Sequence, residues 1–351
     1  MSRISVYLYR GQIGGYNFMD FLNLPKIDLH CHLDGSLRPG SVLELLRKYN
    51  IDLGINETNI DDALKIRDHC DSLLTYLKKF DLPLKIMQDK EDLERLTYEV
   101  FEDAKNENIA YLELRFAPVL HINKGLSQEE VIGAVIKGMN RAKNDYDIEG
   151  NIIICCMKNL GEEEALKTIK AGYTYMNKGL VGVDLAGKED IGFAHKYIRA
   201  MRLAKDMGYN ITVHAGEAGP GQNILDAISL LGAQRIGHGT NLYQSDEAFR
   251  LVKENNIFLE VCPTSNLQTK AVDRLEKHPA IYYYKEGIGL CINTDNRTVS
   301  NTNLTAEFEA IGHLLSMDRT SYTKMYERAV EASFADRETK DKLIDKVRRI
   351  K

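Results

Sequence analysis

Residues 26–32 read KIDLHCH, a short apolar run of strand-like character that ends in two histidines. Seven further runs of this kind follow along the chain. They occupy residues 111–119, 151–158, 180–187, 210–217, 235–240, 257–266 and 288–296. Helix-like segments fill nearly every gap. Strands that alternate with helices predict a parallel sheet, and eight such units predict an α/β fold of the (β/α)8 TIM-barrel type.

The gap after the first run is much longer than the others and contains several helical patterns, such as SVLELLRKY and SLLTYLKKF. We therefore expect extra helices inserted after the first strand, over the mouth of the barrel. Residues 1–20 fit no periodic pattern, and we expect a loosely ordered N-terminal extension there. No internal repeat, low-complexity tract or linker divides the rest, so residues 21–351 are predicted to form a single domain.

The composition of the 351 residues argues against several classes of protein. A content of 44% hydrophobic and 28% charged residues is typical of a soluble globular protein. The net charge of −5 argues against nucleic acid as a partner, and no apolar run reaches membrane-spanning length. Six cysteines without a CxxC pair favour neither a disulfide scaffold nor a thiolate zinc site. We expect a cytoplasmic protein that acts on a small molecule.

Four potential metal ligands stand at or near the ends of predicted strands, namely His30, His32, His214 and Asp295. Successive side chains on a strand point to opposite faces, so His30 and His32 share one face. Three imidazoles and a carboxylate suit zinc. Taken alone, the HxH pair is equally typical of two hydrogen-bonded histidines. Asp295 alone is equally typical of a residue that caps the following helix. Their joint position at C-terminal strand ends, where barrel enzymes have their active sites, favours the metal site.

Two further polar residues lie close to these candidate ligands. Glu217 follows His214 by three residues, near the metal yet free to move protons, although its local sequence also suits an ordinary loop carboxylate. His238 suits a backbone hydrogen bond, or the orientation of an attacking water. Together these residues indicate metal-activated water attacking a small substrate. Glu113 and Arg115 share a strand face, which predicts an internal ion pair rather than a substrate contact.

Asp34 and Gly187 each admit a structural and a functional interpretation. Asp34, in HLDGSLRP, is typical of an Asx turn before a glycine. Gly187, after DLA, is typical of a turn, but it would also let a substrate approach the backbone closely.

Six motifs in this order resemble the adenosine deaminase family: KIDLHCHLDGSL, DLAG, VHAGEAG, IGHGT, CPTSN and NTD. The resemblance runs from Leu24 to at least Glu309, which is most of the chain. It implies a zinc-dependent (β/α)8 barrel with one zinc ion per chain. The ligands that it implies are His30, His32, His214 and Asp295.

The same resemblance implies a role for each remaining candidate. Glu217 would protonate the purine at N1, and His238 would orient or deprotonate a zinc-bound water that also hydrogen-bonds to Asp295. Gly187 would donate its backbone N–H to N3, and Asp34 would hold the ribose 5′-hydroxyl. The implied reaction converts adenosine, and 2′-deoxyadenosine, into the inosine product and ammonia in purine salvage.

Asn296 departs from the family pattern, which often has a second Asp there to contact N7 of the purine. Other activities also stay open, namely deamination of adenine, AMP, aminofutalosine or a 5′-modified adenosine. Because a carboxylate repels phosphate, Asp34 favours a neutral 5′ group. A binuclear amidohydrolase would need a bridging lysine carbamate, and Lys188 lies past the turn. An inactive nucleoside-binding protein is the last alternative.

Overall fold

The computed structural model describes residues 19–67, 70 and 73–350. Of the extension predicted at residues 1–20, residues 1–18 lie outside the described residues. Within the described residues, eight strands run parallel and pair in chain order from first to last. They are β1 (Lys26–His32), β2 (Ile109–Phe116), β3 (Glu149–Met157), β4 (Leu180–Ala186), β5 (Asn210–Ala215), β6 (Arg235–His238), β7 (Phe258–Val261) and β8 (Leu290–Ile292). The predicted (β/α)8 fold is confirmed.

The barrel closes between β8 and β1 through the residues that follow β8. The N–H of Asp295 donates to the carbonyl of His30 at 2.8 Å, and the N–H of His32 donates to the carbonyl of Asp295 at 2.7 Å. The Asn293 side chain accepts the N–H of Leu29 at 2.8 Å. The seam that closes the barrel therefore also places Asp295 beside His30 and His32.

Fifteen α-helices lie in the described part of the chain. They are α1 (Pro39–Lys48), α2 (Ile60–Leu64), α3 (Leu73–Leu77), α4 (Asp81–Ile86), α5 (Lys90–Asn106), α6 (Gln128–Asp145), α7 (Glu162–Gly172), α8 (Ile198–Asp206), α9 (Gly221–Ser229), α10 (Asp246–Glu254), α11 (Pro263–Gln268), α12 (Ala280–Lys285), α13 (Leu304–Gly312), α14 (Arg319–Ala332) and α15 (Arg337–Arg348). Five of them, α1 to α5, lie between β1 and β2. The predicted insertion after the first strand is confirmed.

The inserted segment packs on the loop that follows β8. The N–H of Ile66 donates to the carbonyl of Val299 at 2.7 Å, and the hydroxyls of Tyr76 and Ser300 lie 2.7 Å apart. Ile66, Tyr76 and Val299 belong to one small buried apolar cluster. Since this loop leaves the C-terminal end of the sheet, the insertion covers the barrel mouth, as predicted.

Helix packing outside the barrel follows from local sequence signals. Ser127 accepts the N–H of Glu130 at 3.2 Å, while the Glu130 carboxylate accepts the N–H of Ser127 at 2.9 Å, so a capping box begins α6. A β-carbon at Gly138 would lie 2.2 Å from the Glu94 carbonyl oxygen. Glycine at this position therefore lets α5 and α6 pack closely.

The predicted run at 257–266 is longer than the strand that it contains. Strand β7 ends at Val261, and α11 begins at Pro263. Proline is favoured at the first helical position because its missing N–H has no helical partner there. The CPTSN segment is therefore mostly helical and lies at the C-terminal end of the barrel.

The barrel interior is charged as well as apolar. Arg115 donates to Asp184 at 3.1 Å and to Glu260 at 2.9 Å, and Arg235 donates to Glu260 at 2.7 Å and to Glu113 at 2.5 Å. Burial opposes the charge of Glu260, but the two guanidinium groups outweigh burial and hold its pKa well below its usual value. Glu113 and Arg115 thus lie in ion pairs inside the barrel, but the pairing predicted from their shared face is wrong, since their partners are residues of other strands.

All six cysteines lie among the described residues, are buried and form no disulfide. None of the helices in the described ranges combines the length and the hydropathy that a bilayer crossing requires.

Candidate active site

The four predicted metal ligands come together at the C-terminal end of the barrel. His32 Nε2 lies 3.3 Å from His30 Nε2 and 3.3 Å from His214 Nε2. Asp295 Oδ1 lies 3.4 Å from His30 Nε2 and 3.5 Å from His32 Nε2. Side chains from β1, β5 and the segment after β8 therefore direct three ring nitrogens and one carboxylate oxygen at a common point.

These separations fit a single zinc ion. Ligand atoms about 2.0–2.1 Å from zinc, at tetrahedral angles, lie about 3.3–3.4 Å from one another. Burial lowers the pKa of His32 well below its usual value, so the ring is neutral and can donate a lone pair. Burial opposes the charge of Asp295, yet its contacts with His30 and the other histidines hold its pKa far below its usual value.

His238 belongs to the same neighbourhood. Its ring nitrogen and the ligand atoms of His30, His214 and Asp295 lie within 4.8 Å of one another. This second set leaves out His32, whose contacts of 3.3–3.5 Å are shorter than that limit. His32 and His238 therefore both lie close to the ligand atoms of His30, His214 and Asp295.

On the side of the ring that faces away from the cluster, two of the histidines contact carboxylates of the barrel interior. His30 Nδ1 lies 2.9 Å from Glu260 Oε2, and His214 Nδ1 lies 2.9 Å from Asp184 Oδ2. Each carboxylate can accept a hydrogen bond from Nδ1–H, which leaves the Nε2 lone pair of that ring pointing at the cluster. The interior ion pairs therefore orient the candidate ligands.

Glu217 and His238 face each other beside the cluster. Glu217 Oε2 lies 3.5 Å from His238 Nε2, and Thr269 donates a hydrogen bond to Glu217 Oε1 at 3.2 Å. On its far side, His238 Nδ1 lies 3.0 Å from the Asn266 amide nitrogen. If the amide donates to Nδ1, the ring proton lies on Nε2, which faces Glu217.

The backbone is strained where it presents these side chains. His238 has φ of 64° and Asp295 has φ of 58°, both in the left-handed region. For residues other than glycine this conformation costs about 1–3 kcal/mol and is concentrated at functional sites. Gly187, with φ of 94°, lies at the end of β4, where a β-carbon would lie 3.3 Å from Met157 Cε. Both the positive φ and the short distance to Met157 therefore favour glycine at position 187.

Among the buried side-chain atoms of the described residues that have no hydrogen-bond partner in the protein are four at the barrel mouth. They are Asp34 Oδ1, Ser265 Oγ, Gln268 Oε1 and Asn296 Oδ1. Burial raises the pKa of Asp34 to about 6, against the opposing effect of nearby backbone N–H groups. An unpaired buried polar atom is costly, so this group of atoms indicates a polar ligand.

Asn296 lies directly against the turn that contains Asp34. A β-carbon on Gly35 would lie 1.9 Å from Asn296 Oδ1, so glycine is required for this approach. Asp34 and Asn296, both candidate substrate contacts, are thereby held on the same side of the mouth.

An apolar patch lies at the ends of β2, β3 and β4. Its buried members are Ala117, Cys155 and Ala186, with Val119, Leu120 and Met157 packed against them. An apolar wall facing a few polar groups is typical of a small-molecule site.

Thr269 contacts Glu217 and Asn266 contacts His238, and neither of these two partners was predicted from the sequence. Asn266 belongs to the quoted CPTSN motif, but nothing in the sequence shows that it contacts a histidine 28 positions away.

The fold and the site define a class of protein, a (β/α)8-barrel hydrolase with a histidine–carboxylate cluster that can bind a metal ion. The family model for adenosine deaminase matches residues 25–350, and the chain belongs to the adenosine deaminase family.

Curated relatives agree over nearly the whole length. The chain is 49% identical over 333 residues to adenosine deaminase of Clostridium botulinum (strain Loch Maree / Type A3), covering 95% of this chain and 99% of that protein. It is 48% identical over 326 residues to the Clostridium perfringens (strain SM101 / Type A) adenosine deaminase, with coverage of 93% and 98%.

Solved structures show the same architecture. The Arabidopsis N6-mAMP deaminase is 30% identical with a TM-score of 0.84, covering 93% of this chain and 98% of that one. An adenine deaminase from Arthrobacter aurescens, 24% identical with a TM-score of 0.85 and coverage of 93% and 98%, shares the fold.

Proposed function

We propose that this enzyme deaminates adenosine and 2′-deoxyadenosine hydrolytically, giving inosine or deoxyinosine and ammonia, with one zinc ion per chain. The observation that carries the proposal is the set of 3.3–3.5 Å contacts among His30, His32, His214 and Asp295, beside Glu217. Relatives that are 48–49% identical and named adenosine deaminase support the substrate. We place the reaction in cytoplasmic purine salvage, where the buried thiols would stay reduced.

The residues around the cluster supply the proton transfers. A zinc ion bound there would lower the pKa of water and make a hydroxide nucleophile available at neutral pH. We assign to Glu217 the protonation of N1, which makes C6 electrophilic. His238, whose Nε2 carries the ring proton when Asn266 donates to Nδ1, donates a hydrogen bond that orients the attacking water, and Asp295 accepts a hydrogen bond from that water. Of the two protons of the attacking water, one leaves with the amino group as ammonia and the other restores Glu217, whose own proton stays on N1 of the product.

The remaining contacts fix the substrate. We assign the N–H of Gly187 to N3 of the purine, Asp34 to the ribose 5′-hydroxyl and Asn296 to N7. The unpaired oxygen of Asp34 supports its assignment, because a bound nucleoside would bring a hydroxyl partner into a buried region. Asn296 would bond to N7 through its amide N–H, since N7 only accepts hydrogen bonds.

The arrangement of lysines disfavours a binuclear site. Lys188 is largely exposed, and its Nζ lies 3.4 Å from Asp190. Lys158 Nζ donates to the carbonyls of His214 at 2.6 Å and Gly187 at 3.4 Å. Neither ammonium group lies free beside the histidines to form a bridging carbamate.

The proposed function is tested by an ultraviolet assay of the zinc-loaded protein with adenosine, deoxyadenosine, adenine and AMP. We expect the two nucleosides to be turned over far better than the free base and the nucleotide. Turnover of none of the four would favour an inactive nucleoside-binding protein.

The preference against AMP should depend on Asp34. Its carboxylate would face the 5′-phosphate, and two like charges repel strongly in a buried site. We expect Asp34→Asn to narrow the ratio of kcat/KM for adenosine over AMP, measured with both substrates on both proteins. If native protein prefers AMP, Asp34 does not contact the 5′ group.

Asn296 should contribute through N7, which is only a hydrogen-bond acceptor. An Asn amide supplies donor protons at any working pH, whereas an Asp must first be protonated. We expect Asn296→Ala to lower kcat/KM by a factor that corresponds to a loss of about 1–3 kcal/mol in transition-state stabilisation. 7-Deazaadenosine, which lacks the acceptor, should be a poor substrate of the native protein. Its kcat/KM should fall little further in the Asn296→Ala variant. Strictly additive losses would mean that Asn296 does not contact N7.

A further inference from the structure

The carboxylate of Glu189, in the loop after β4, is surrounded by main-chain N–H groups of the loop after β5. Oε1 accepts the N–H of Gly216 at 2.7 Å. Oε2 accepts those of Glu217 at 3.1 Å, Ala218 at 3.3 Å and Gly219 at 3.0 Å. Four successive N–H groups that converge on one anion form a nest, and here the anion belongs to the chain itself.

The neighbouring residues hold Glu189 in this nest. The Asn223 amide donates to Glu189 Oε1 at 2.9 Å and to the carbonyl of Asp190 at 3.1 Å, and its oxygen accepts the N–H of Gly192 at 3.0 Å. A β-carbon on Gly219 would lie 2.5 Å from Glu189 Oε1, so the loop fits the carboxylate only with glycine there. The two loops are therefore joined by one charged group.

We propose that Glu189 is a positioning residue for Glu217. This inference rests on the proposed function, in which Glu217 protonates the purine. Glu189 accepts the backbone N–H of Glu217 and thereby fixes the point at which that side chain leaves the main chain. From the other side, Thr269 holds the Glu217 carboxyl by a hydrogen bond of 3.2 Å. With both ends held, the proton donor keeps one direction beside the metal cluster.

Loss of the charge should loosen this loop and reduce the rate. In Glu189→Gln one oxygen becomes an NH2 group, which opposes the N–H donors that it faces. A misplacement of about 1 Å can cost about 10²-fold in rate, so we expect kcat to fall by at least about 10-fold. Zinc content should stay at one per chain. Glu189→Asp keeps the charge but is one methylene shorter, and it should lose less.

A double-mutant cycle with Glu217→Gln separates positioning from general damage to the fold. When the proton donor is absent, its direction no longer matters, so adding Glu189→Gln should change kcat by less than about 2-fold. A merely structural role would lower kcat by the same factor in both backgrounds. If Glu189→Gln does not fold, the cycle is run with Glu189→Asp.

Glu162→Gln is the matched control. Glu162 Oε1 also accepts two main-chain N–H groups, those of Arg199 at 2.9 Å and Ala200 at 3.1 Å, but they belong to the segment of α8. We expect its kcat to stay near that of the native protein. A normal kcat for Glu189→Gln, beside a greatly reduced kcat for Glu217→Gln, would overturn the inference. A normal kcat for Glu217→Gln would instead overturn the proposed role of Glu217.

Discussion

Alanine in place of His30, His32, His214 or Asp295 will give a protein that neither retains zinc nor deaminates adenosine. The four ligand atoms lie 3.3–3.5 Å apart in the contacts that join them, which leaves room for one ion and requires every side chain. Each of the four supplies one donor atom, so alanine at any of them removes a metal–ligand bond and leaves a gap in the arrangement of the remaining donors. This loss of activity should be larger than the loss caused by Glu217→Gln, Glu189→Gln, Asn296→Ala or Asp34→Asn.

Elemental analysis of the purified variants, together with the ultraviolet assay, checks this result. The native protein should contain one zinc per chain. His195→Ala is a suitable control, because His195 is largely exposed and lies 3.9 Å from Asp226, outside the cluster. Two tightly bound ions per active chain would contradict the mononuclear site, as would a ligand variant that keeps both its zinc and its activity.

The positions of the candidate ligands could be predicted because they depend on local rules. Period-two alternation places His30 and His32 on one face, and parallel strands bring their C-terminal ends to one end of a barrel. The contact of 3.3 Å between their Nε2 atoms agrees with this reasoning. The ends of the strands were less predictable, as at Pro263, where the competing preference of proline for a first helical turn ends the run.

The partners of buried charges could not be predicted in the same way. The spacing of Glu113 and Arg115 indicates a shared face but gives no partner, because inward-facing side chains of several strands meet inside a closed barrel. Arg235 therefore pairs with Glu113 across 122 positions. The contacts of Thr269 and Glu189 with the Glu217 loop are of the same kind, since they join segments that are distant in the chain and follow no periodicity.

Glu217→Gln should lower kcat by at least about 10²-fold, the usual scale for a lost general acid. Glutamine keeps the shape, and its amide oxygen can still accept the hydrogen bond from Thr269, but it has no transferable proton. Because Glu217 contacts His238 at 3.5 Å and is assigned no ligand role, zinc should stay at one per chain.

Kinetics of the Glu217→Gln variant beside Glu162→Gln, measured at equal zinc content, test this expectation. Both changes remove one carboxylate without altering the number of non-hydrogen side-chain atoms, but Glu217 contacts His238, whereas Glu162 contacts the segment of α8. A rate near that of the native protein would show that another group protonates N1. A parallel loss of zinc would show instead that Glu217 supports metal binding. The lower rate would then result from the missing metal ion and not from the missing proton.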